Sequence, residues 1–337
     1  MKVLSLFDWM ACGYEALVRA WITVEKYRAS EIDKYAIQIA MKNHPDIIQL
    51  GDVKNIEGGG RLSNIDLLIW GSPCQWFSVA GKMLNFDDPR SKLFFEFVRI
   101  LKEVQPKYFL LENVKMKKEW QDIISRELWV EPIEINSSLV SAQSRRRLYR
   151  TNIPNVTQPQ DKGIMLKDIL QENVDEKYNL TDGAMRNLIE KSNWELRIKQ
   201  ATKQWYIVAE EGDGISLSYP NSTTRRWRVV KWKANTLVTQ GDSYVCEPKV
   251  AYNPHTRDFF VNWWKEWKSF TISAMDYAHP KVVNVGTIIR KLTPIECERL
   301  QTLPDNYTEW VSDTQRYKML GNGRTVDVIA HIFKNLS

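Results

Sequence analysis

The residue best placed to do chemistry in this chain is Cys74, within the turn-like stretch 71–75 (GSPCQ). An apolar run at 66–69 comes directly before it and predicts a buried strand. In open α/β sheets the loops beyond the carboxyl ends of strands hold the ligands, and Pro73 restricts the backbone that presents the thiol. A cysteine in this position is a candidate nucleophile, although a lone cysteine is more often a small buried apolar side chain.

Further candidates for acid–base chemistry and anion binding lie later in the chain. Glu112 ends the apolar run 108–111 and could share a proton with a substrate; a helix cap is the alternative. Arg145 and Arg147 lie on either side of Arg146, so a strand there would direct both guanidinium groups to one face. A solvated turn is the alternative for this arginine cluster.

Short β-rich runs alternate with helical patterns around these residues. The runs predict strands at 3–7, 27–30, 47–50, 65–69 and 108–111, and the helical patterns predict helices at 13–20, 34–43, 92–104 and 326–333. Such a βαβ series folds as a parallel sheet with right-handed crossovers. The sequence therefore predicts an α/β fold of the doubly wound type.

Composition narrows the class of protein. The 337 residues carry a net charge of +6, and no apolar run approaches the ~20 residues that a membrane span requires. The four cysteines form no CxxC pair, so neither a zinc site nor a disulfide framework is expected. We expect a monomeric cytoplasmic protein with no metal and no membrane contact. The positive charge permits a polyanionic partner but is also common on ordinary enzymes.

The second half of the chain has a less regular texture. Basic and aromatic side chains alternate at 223–228 and 231–233, a composition suited to phosphates and exposed bases. A solvated hairpin with extended cationic side chains is the alternative. We predict a main domain at 1–181, completed by 315–337, and a smaller, irregular domain at 182–314.

Eight groups of short motifs occur in an order and spacing that resemble the DNA (cytosine-5) methyltransferases of bacteria and phages, a family that includes restriction–modification enzymes. They span nearly the whole chain: SLFD at 5–8 with Gly13, SEID at 30–33, GDV at 51–53, PCQ at 73–75, ENV at 112–114, QSRRR at 143–147, RKLTP at 290–294 with ERLQ at 298–301, and GNG at 321–323. Each string alone is weak. Their joint order is specific.

The resemblance implies a doubly wound methyltransferase sheet that uses S-adenosylmethionine to methylate C5 of a cytosine in a specific duplex DNA sequence. Cytosine C5 is a poor nucleophile, so the thiolate of Cys74 would add to C6 and make C5 enamine-like. Glu112 would bind N3 and the exocyclic amine, while Arg145 and Arg147 would face the base carbonyl and the catalytic loop. The target base would be flipped out of the helix. By the same resemblance, 1–181 with 315–337 would be the catalytic and cofactor-binding domain, and 182–314 the target-recognition domain.

The resemblance also implies where S-adenosylmethionine binds. Glu31 would bind the ribose hydroxyls and Asp52 the adenine amine, and Asn322 would close the methionine end. The other cofactor-binding candidates in the matching motifs are Phe7, Asp8, Gly13, Ile32, Val53 and Pro73. An acid after the second strand is also typical of NAD enzymes, but no intact GxGxxG motif occurs, and that function would leave Cys74 without a role.

Two other functions stay open at this stage. A tRNA cytosine-5 methyltransferase would share the fold and the nucleophile, although the sizeable basic recognition segment favours DNA. A catalytically impaired DNA-binding homologue is the other, because the chain departs from the family pattern at several glycines.

These departures replace glycine by tryptophan at Trp9, Trp21, Trp70, Trp76 and Trp129. Glycine allows a positive φ angle or the close approach of a ligand, and an indole prevents both. Conversely, Arg150 and Arg324 stand where related sequences often have tryptophan. We hypothesise that the gene comes from a recoded genome or its phage, in which UGA is read as glycine and some CGN codons as tryptophan. We then expect UGA at those five tryptophans and UGG at Trp120; a degenerate, inactive homologue is the competing explanation.

Overall fold

A seven-stranded sheet forms the centre of the protein, in a computed structural model that describes residues 1–71, 89–179, 189–192, 195–199, 206–216, 228–239, 243–248 and 287–336. Its strands are β1 (Lys2–Leu6), β2 (Lys26–Ser30), β3 (Ile48–Gln49), β4 (Leu67–Gly71), β5 (Tyr108–Asn113), β6 (Ile133–Asn136) and β7 (Arg146–Thr151). They lie in the order β3-β2-β1-β4-β5-β7-β6.

The first five strands are parallel, and β7 runs antiparallel to both of its neighbours, β5 and β6. The strand order reverses between β1 and β4, because the chain moves outward from β1 to β3 on one side and from β4 to β5 on the other. In such sheets the ligand crevice lies at the carboxyl ends of the strands beside this switch point. The predicted α/β fold is confirmed, and the sequence analysis did not predict β6 and β7.

Helices cover both faces of this sheet. They are α1 (Cys12–Arg19), α2 (Lys34–Asn43), α3 (Pro89–Val104), α4 (Lys118–Leu128), α5 (Pro294–Leu300), α6 (Asp313–Asn322) and α7 (Val326–Phe333). Side chains alternate along the strands between two buried clusters, one with α1, α2 and α7 and the other with α3 and α4. In β4, for example, Ile69 faces the first cluster and Trp70 the second.

Side-chain caps fix where two of these helices begin. Asp33 accepts hydrogen bonds from the N–H groups of Tyr35 and Ala36 at the start of α2. Thr293 and Glu296 form a reciprocal capping box at the start of α5, where Pro294 occupies the first turn. Caps of this kind satisfy N–H groups that have no partner within the helix.

Two smaller sheets come from the second half of the chain. One contains β8 (Ile189–Ser192), β9 (Glu195–Lys199) and β10 (Tyr206–Ala209), in the order β10-β9-β8. The other contains β11 (Gly214–Ser216), β12 (Arg228–Val230), β13 (Ser243–Pro248) and β14 (Thr287–Lys291), in the order β12-β11-β13-β14. All pairings in these two sheets are antiparallel.

Parts of the predicted recognition domain pack against the central sheet. Ala234, Leu237, Leu292 and Leu300 belong to the same buried cluster as α1 and α7, and residue 234 forms a β-bridge with Gln143. These portions of 182–314 therefore contribute to the main core, and the exact domain boundaries stay a prediction. No helix within the described ranges has both the length and the apolar character needed to cross a membrane.

Candidate active site

The candidate site lies where β4 and β5 end side by side. Gly71, the last residue of β4, is the register partner of Glu112 in β5. Cys74 follows Gly71 by three residues, so chain length alone keeps the two within roughly 10 Å of each other. Cys74 and Pro73 themselves lie outside the described residues. The strand register thus brings the start of the cysteine loop to the predicted acid.

Glu112 is a buried carboxylate between two guanidinium groups. Its side chain is 7% exposed, and its Oε1 lies 3.5 Å from Nε of Arg147 while its Oε2 lies 3.5 Å from Nε of Arg324. Among the described residues, Oε2 accepts no hydrogen bond. Glu112 is therefore stabilised by charge and still has an oxygen that can bind a ligand.

Arg145 has a different environment from Arg147. Its guanidinium group donates to the backbone oxygen of Gly323 at 2.8 Å and to that of Gly321 at 3.3 Å. Arg147 instead lies beside Glu112. The two arginines that the sequence analysis directed to one face thus have distinct partners, because Arg145 precedes β7 and Arg147 lies within it.

The three described cysteines are buried and form no disulfide. Burial raises the pKa of the Cys12 thiol to about 11 and that of Cys246 to about 12, and it also raises the pKa of Cys297. Thiols of this kind stay protonated at neutral pH and are poor nucleophiles. Among the cysteines, these three are therefore unsuited to the chemistry expected of Cys74.

Glu31 lies at the neighbouring part of the same sheet edge, directly after β2. Its Oε1 accepts the N–H groups of Ile32 and Asp33 at 2.8 and 2.9 Å, and its Oε2 accepts the N–H of Trp9 at 2.9 Å. These bonds join the loop after β1 to the loop after β2. Oε1 uses both of its lone pairs in these bonds, whereas Oε2 keeps one, so Glu31 can still accept a hydroxyl group.

Asp8 is buried under the loop after β1. The hydroxyl of Tyr27 donates to its Oδ1 at 2.6 Å. Burial raises the pKa of Asp8 to about 6, although the nearby Ser5 and Tyr27 hydroxyl groups lower it. A Cβ added to Gly13 would stand only 2.8 Å from the Tyr27 hydroxyl, so glycine is needed there for close packing.

The remaining predicted cofactor residues differ in exposure. Ile32 is 72% exposed beside Glu31, and the Phe7 ring lies 5.9 Å from that of Trp70. Asp52 uses one oxygen to cap a short helical turn through the N–H of Lys54. Val53 is buried in the cluster with α3 and α4, so its side chain faces the interior.

Asn322 is the last residue of α6 and is partly buried. The turn that follows is held by Gln301, whose side-chain nitrogen donates to the backbone oxygen of Leu320 at 2.6 Å. Gln301 also accepts the hydroxyl of Thr325 at 2.9 Å. The GNG turn is therefore fixed from one side by Gln301 and from the other by Arg145.

Comparison with known proteins decides the family. The model of the C-5 cytosine-specific DNA methylase family matches residues 1–123 and 136–337. This chain belongs to that family. As a member it is a DNA cytosine methyltransferase, with the methyltransferase fold that the sheet order already indicates.

Two relatives show how far the likeness extends. The orphan methyltransferase M.SPRI of Bacillus phage SPR is 28% identical, and the alignment covers 100% of this chain and 97% of the relative. The type II methyltransferase M1.ScrFI of Lactococcus lactis subsp. cremoris is 30% identical over 93% of this chain and 72% of its own length. Among solved structures, the Entamoeba histolytica methyltransferase EhMeth matches with a TM-score of 0.65 and 18% identity, over 100% of this chain and 99% of that one.

The methylase site includes residues to which the sequence analysis gave no role. Arg324 was noted only as a departure from the family pattern, yet it reaches Glu112. Gln301 lies in a quoted motif, and its role in holding the GNG turn depends on contacts 19 and 24 residues away. Tyr27 has no local signal, because a tyrosine in a strand is common.

Arg290 and Glu298, also in quoted motifs, stabilise the methylase fold at a different place. Arg290 pairs with Glu296 at 2.7 Å and with Glu247 at 2.7 Å, and Glu298 pairs with Arg316 at 2.9 Å. Within the described part of the chain there is no group of three acidic, histidine or cysteine side chains that could hold a metal.

Proposed function

We propose that this methylase transfers a methyl group from S-adenosylmethionine to C5 of a cytosine in a specific duplex DNA sequence, with Cys74 as the nucleophile. The observation that carries the proposal is the pairing of Gly71 with Glu112 at the ends of β4 and β5. It puts the chain leading to a candidate thiolate next to a buried carboxylate with an oxygen to offer. A nucleophile and an acid for the same pyrimidine ring need that proximity.

The chemistry assigns one step to each group. The Cys74 thiolate forms a bond to C6, and the protonated carboxyl group of Glu112 gives its proton to N3 as the electrons shift toward that nitrogen. The other oxygen of Glu112 accepts from the exocyclic amine. S-adenosylmethionine, when bound, supplies an electrophilic methyl group to C5. The C5 proton is then lost to water, its bonding electrons restore the C5–C6 double bond, and the C6–sulfur bond breaks to release the Cys74 thiolate. N3 returns its proton to Glu112.

Arg147 and Arg145 have supporting roles in this proposal. Arg147 lies 3.5 Å from Glu112 and favours the orientation in which Glu112 faces the base. Arg145 holds the carbonyls of Gly321 and Gly323 and so positions Asn322 between them. Two arginines therefore serve the catalytic acid and the cofactor turn separately.

The residues at the first three strand ends fit an adenosine-like group. Glu31 is fixed by three N–H groups, which leaves one lone pair of its Oε2 for a ribose hydroxyl. Exposed Ile32 offers an apolar surface for the adenine ring. Ser30 donates to the backbone oxygen of Gly51 at 2.8 Å, so the segments that carry Glu31 and Asp52 are held next to each other.

Access to the target requires the cytosine to leave the double helix, at a cost of about a few kcal/mol. The basic and aromatic stretch 223–228 suits contact with phosphates and unstacked bases. The stretch 231–233 is less suited, because Lys231 pairs with Asp213 at 2.9 Å and Lys233 donates to three backbone oxygens. We assign sequence recognition to the region 182–314.

A covalent-trapping assay tests the proposal. The enzyme is incubated with S-adenosylmethionine and duplex DNA that contains 5-fluorocytosine, whose fluorine cannot leave as the C5 proton does. We expect a protein–DNA adduct that survives denaturing electrophoresis. Cys74→Ser should abolish it, whereas Cys297→Ala, which alters a buried thiol, should retain it. An adduct formed equally by Cys74→Ser would refute the role of Cys74.

Bisulfite sequencing of DNA from cells that express the enzyme identifies the target site. We expect methylated cytosines within one short sequence context. A parallel methyl-transfer reaction on tRNA serves as the control. Methylation of tRNA without methylation of DNA would overturn the duplex DNA substrate and favour the tRNA alternative.

A further inference from the structure

The backbone of this chain is left-handed at an unusual set of residues. Thirteen non-glycine residues have positive φ angles among those described, and five of them are tryptophans: Trp9, Trp21, Trp129, Trp232 and Trp310. Four others are asparagines, whose short polar side chain tolerates this region. A bulky residue with positive φ is a genuine outlier. Tryptophan should therefore be rare among residues with positive φ, yet here it is the most frequent residue type among them.

The tryptophans with ordinary backbone angles show the contrast. Seven tryptophans have described side chains, namely the five above, Trp70 and Trp120. Only a few per cent of non-glycine residues have positive φ, so five among seven is far beyond chance. Trp70 lies in β4, where it is 1% exposed and packs 4.7 Å from the ring of Phe97. Its backbone gives no reason to expect glycine, and Trp76 lies outside the described residues.

Trp21 occupies a position that the geometry of a helix end reserves for glycine. The N–H of Trp21 donates to the backbone oxygen of Val18, and the N–H of Ile22 donates to that of Leu17, both at 3.0 Å. These two bonds after α1 form a Schellman motif, whose left-handed residue is usually glycine. Trp21 is that residue, with φ of 59°.

Trp129 follows α4 and is also left-handed, with φ of 57° and ψ of 28°. Trp21 is 93% exposed and Trp129 is 91% exposed, so neither indole gains packing that would offset the backbone strain. Trp232 and Trp310 are 54% and 66% exposed. Only for Trp310 is a favourable ring contact found in the described chain, with Lys42 at 4.2 Å.

Trp9 is a left-handed tryptophan within the proposed cofactor site. It has φ of 54° and lies between two other left-handed residues, Phe7 and Ala11, in the loop after β1. Its N–H binds Glu31, the candidate ribose ligand. A glycine here would adopt this angle without strain and would let the backbone approach a ligand.

From this backbone evidence we propose that the polypeptide made by the source organism carries glycine at positions 9, 21, 129, 232 and 310, decoded from UGA codons that appear as tryptophan in the printed sequence. For position 9 the inference also rests on the proposed function, since it completes the cofactor site. For the other four it rests on backbone geometry alone.

Reading the gene tests the proposal directly. We expect UGA at codons 9, 21, 129, 232 and 310 and UGG at codon 120, where the tryptophan lies within helix α4. Mass spectrometry of the protein purified from its own host should then show glycine at those five positions. UGG at these codons, or tryptophan in the native peptides, would overturn the proposal.

Stability measurements on the chain as printed provide a test that needs no gene. Trp21→Gly and Trp129→Gly should each raise the unfolding temperature by roughly 2 °C or more, because each relieves a left-handed bulky residue. The matched variants Trp21→Ala and Trp129→Ala retain a Cβ and should recover less of the gain. Trp120→Gly should lower the unfolding temperature, as glycine does within helices. Equal stability of the glycine and alanine variants would contradict the proposal.

Cofactor binding by calorimetry completes the test at position 9. Trp9→Gly should bind S-adenosylmethionine at least tenfold more tightly than the printed chain, whereas Trp21→Gly should not change the affinity. A glycine-restored protein that is more stable but inactive would refute the proposed function and leave the decoding intact. If the protein with tryptophan at these positions is active and the glycine variants are no more stable, the decoding is refuted and the proposed function is left intact.

Discussion

Two carboxylates at the same edge of the sheet are held in opposite ways. Glu31, after β2, accepts three backbone N–H groups at 2.8 to 2.9 Å. Glu112, in β5, has two guanidinium groups at 3.5 Å, and its Oε2 accepts no hydrogen bond within the described chain. Backbone donors fix one acid in place, whereas side-chain charges stabilise the other and leave an oxygen for a ligand.

The difference suits two kinds of ligand. A hydroxyl-binding acid benefits from a rigid carboxylate, because its geometry is set before the ligand arrives. An acid that responds to charge developing on a base benefits from an oxygen that no protein group already occupies. The comparison therefore predicts that changes at Glu112 affect turnover, while changes at Glu31 affect cofactor affinity.

The largest expected effect comes from Glu112→Gln. Loss of the acid should reduce kcat by about 10²- to 10⁴-fold, the range typical of general acid–base groups, with a small change in the KM for S-adenosylmethionine. Steady-state methyl transfer to DNA measures both quantities. The contrast between the two acids would be broken if this variant changed only the cofactor KM.

Glu134→Gln is the matched control for Glu112. Glu134 lies in β6 and pairs with Lys115 and Arg146, whose side chains are both 65% exposed. Exposed ion pairs contribute little to stability, so this variant should fold and turn over like the parent. A comparable loss of kcat in both variants would point to a general effect of removing negative charge.

Glu31→Gln should have a smaller effect of a different kind. The amide has one oxygen in place of two, so it cannot accept from Trp9, Ile32 and Asp33 in the same way and offers less to ribose hydroxyls. We expect the KM for S-adenosylmethionine to rise about tenfold or more, with kcat largely retained. Asp33→Asn, which keeps an acceptor for the cap of α2, should leave the KM unchanged; an equal rise there would assign the effect to local folding.

Sequence patterns could predict where the strands end but not which strands pair with each other in every case. The predicted helices 34–43 and 326–333 match α2 and α7 in full, since both are continuous periodic runs. The adjacency of Gly71 and Glu112 also follows from consecutive parallel strands. The antiparallel insertion of β7 between β5 and β6 does not, because strand direction is set by tertiary pairing and not by local side-chain alternation.

Contacts between distant segments escaped prediction for the same reason. Arg324 and Glu112 are 212 residues apart in the chain, and no local pattern connects them. Val53 belongs to a matching motif, yet its side chain faces the interior. At Trp21 and Trp129, by contrast, the sequence alone was informative. The family pattern indicated glycine there, and the positive φ angles of both residues give the physical reason.

Asp8 offers the smallest expected effect on activity and a clear effect of pH on stability. Its pKa is raised by burial to about 6 from 3.8, near Tyr27, Arg324 and Glu31. Below about pH 3 the carboxyl is neutral in both the folded and the unfolded protein. Between pH 4 and 6 the unfolded state ionises first, so Asp8 destabilises the fold increasingly, by up to about 3 kcal/mol above pH 6.

Asp8→Asn removes this ionisation and keeps an oxygen for the Tyr27 hydroxyl. In urea unfolding, the stability gain over the parent should therefore be larger at about pH 7.5 than at about pH 4. Asp33→Asn should show the opposite trend: burial by itself would raise the pKa of Asp33, but hydrogen bonds from Lys318, Tyr35 and Ala36 lower it. Asp33 therefore stabilises the fold above about pH 4, and its loss should matter less in acid. Parallel pH profiles for the two variants would show that folding does not raise the pKa of Asp8.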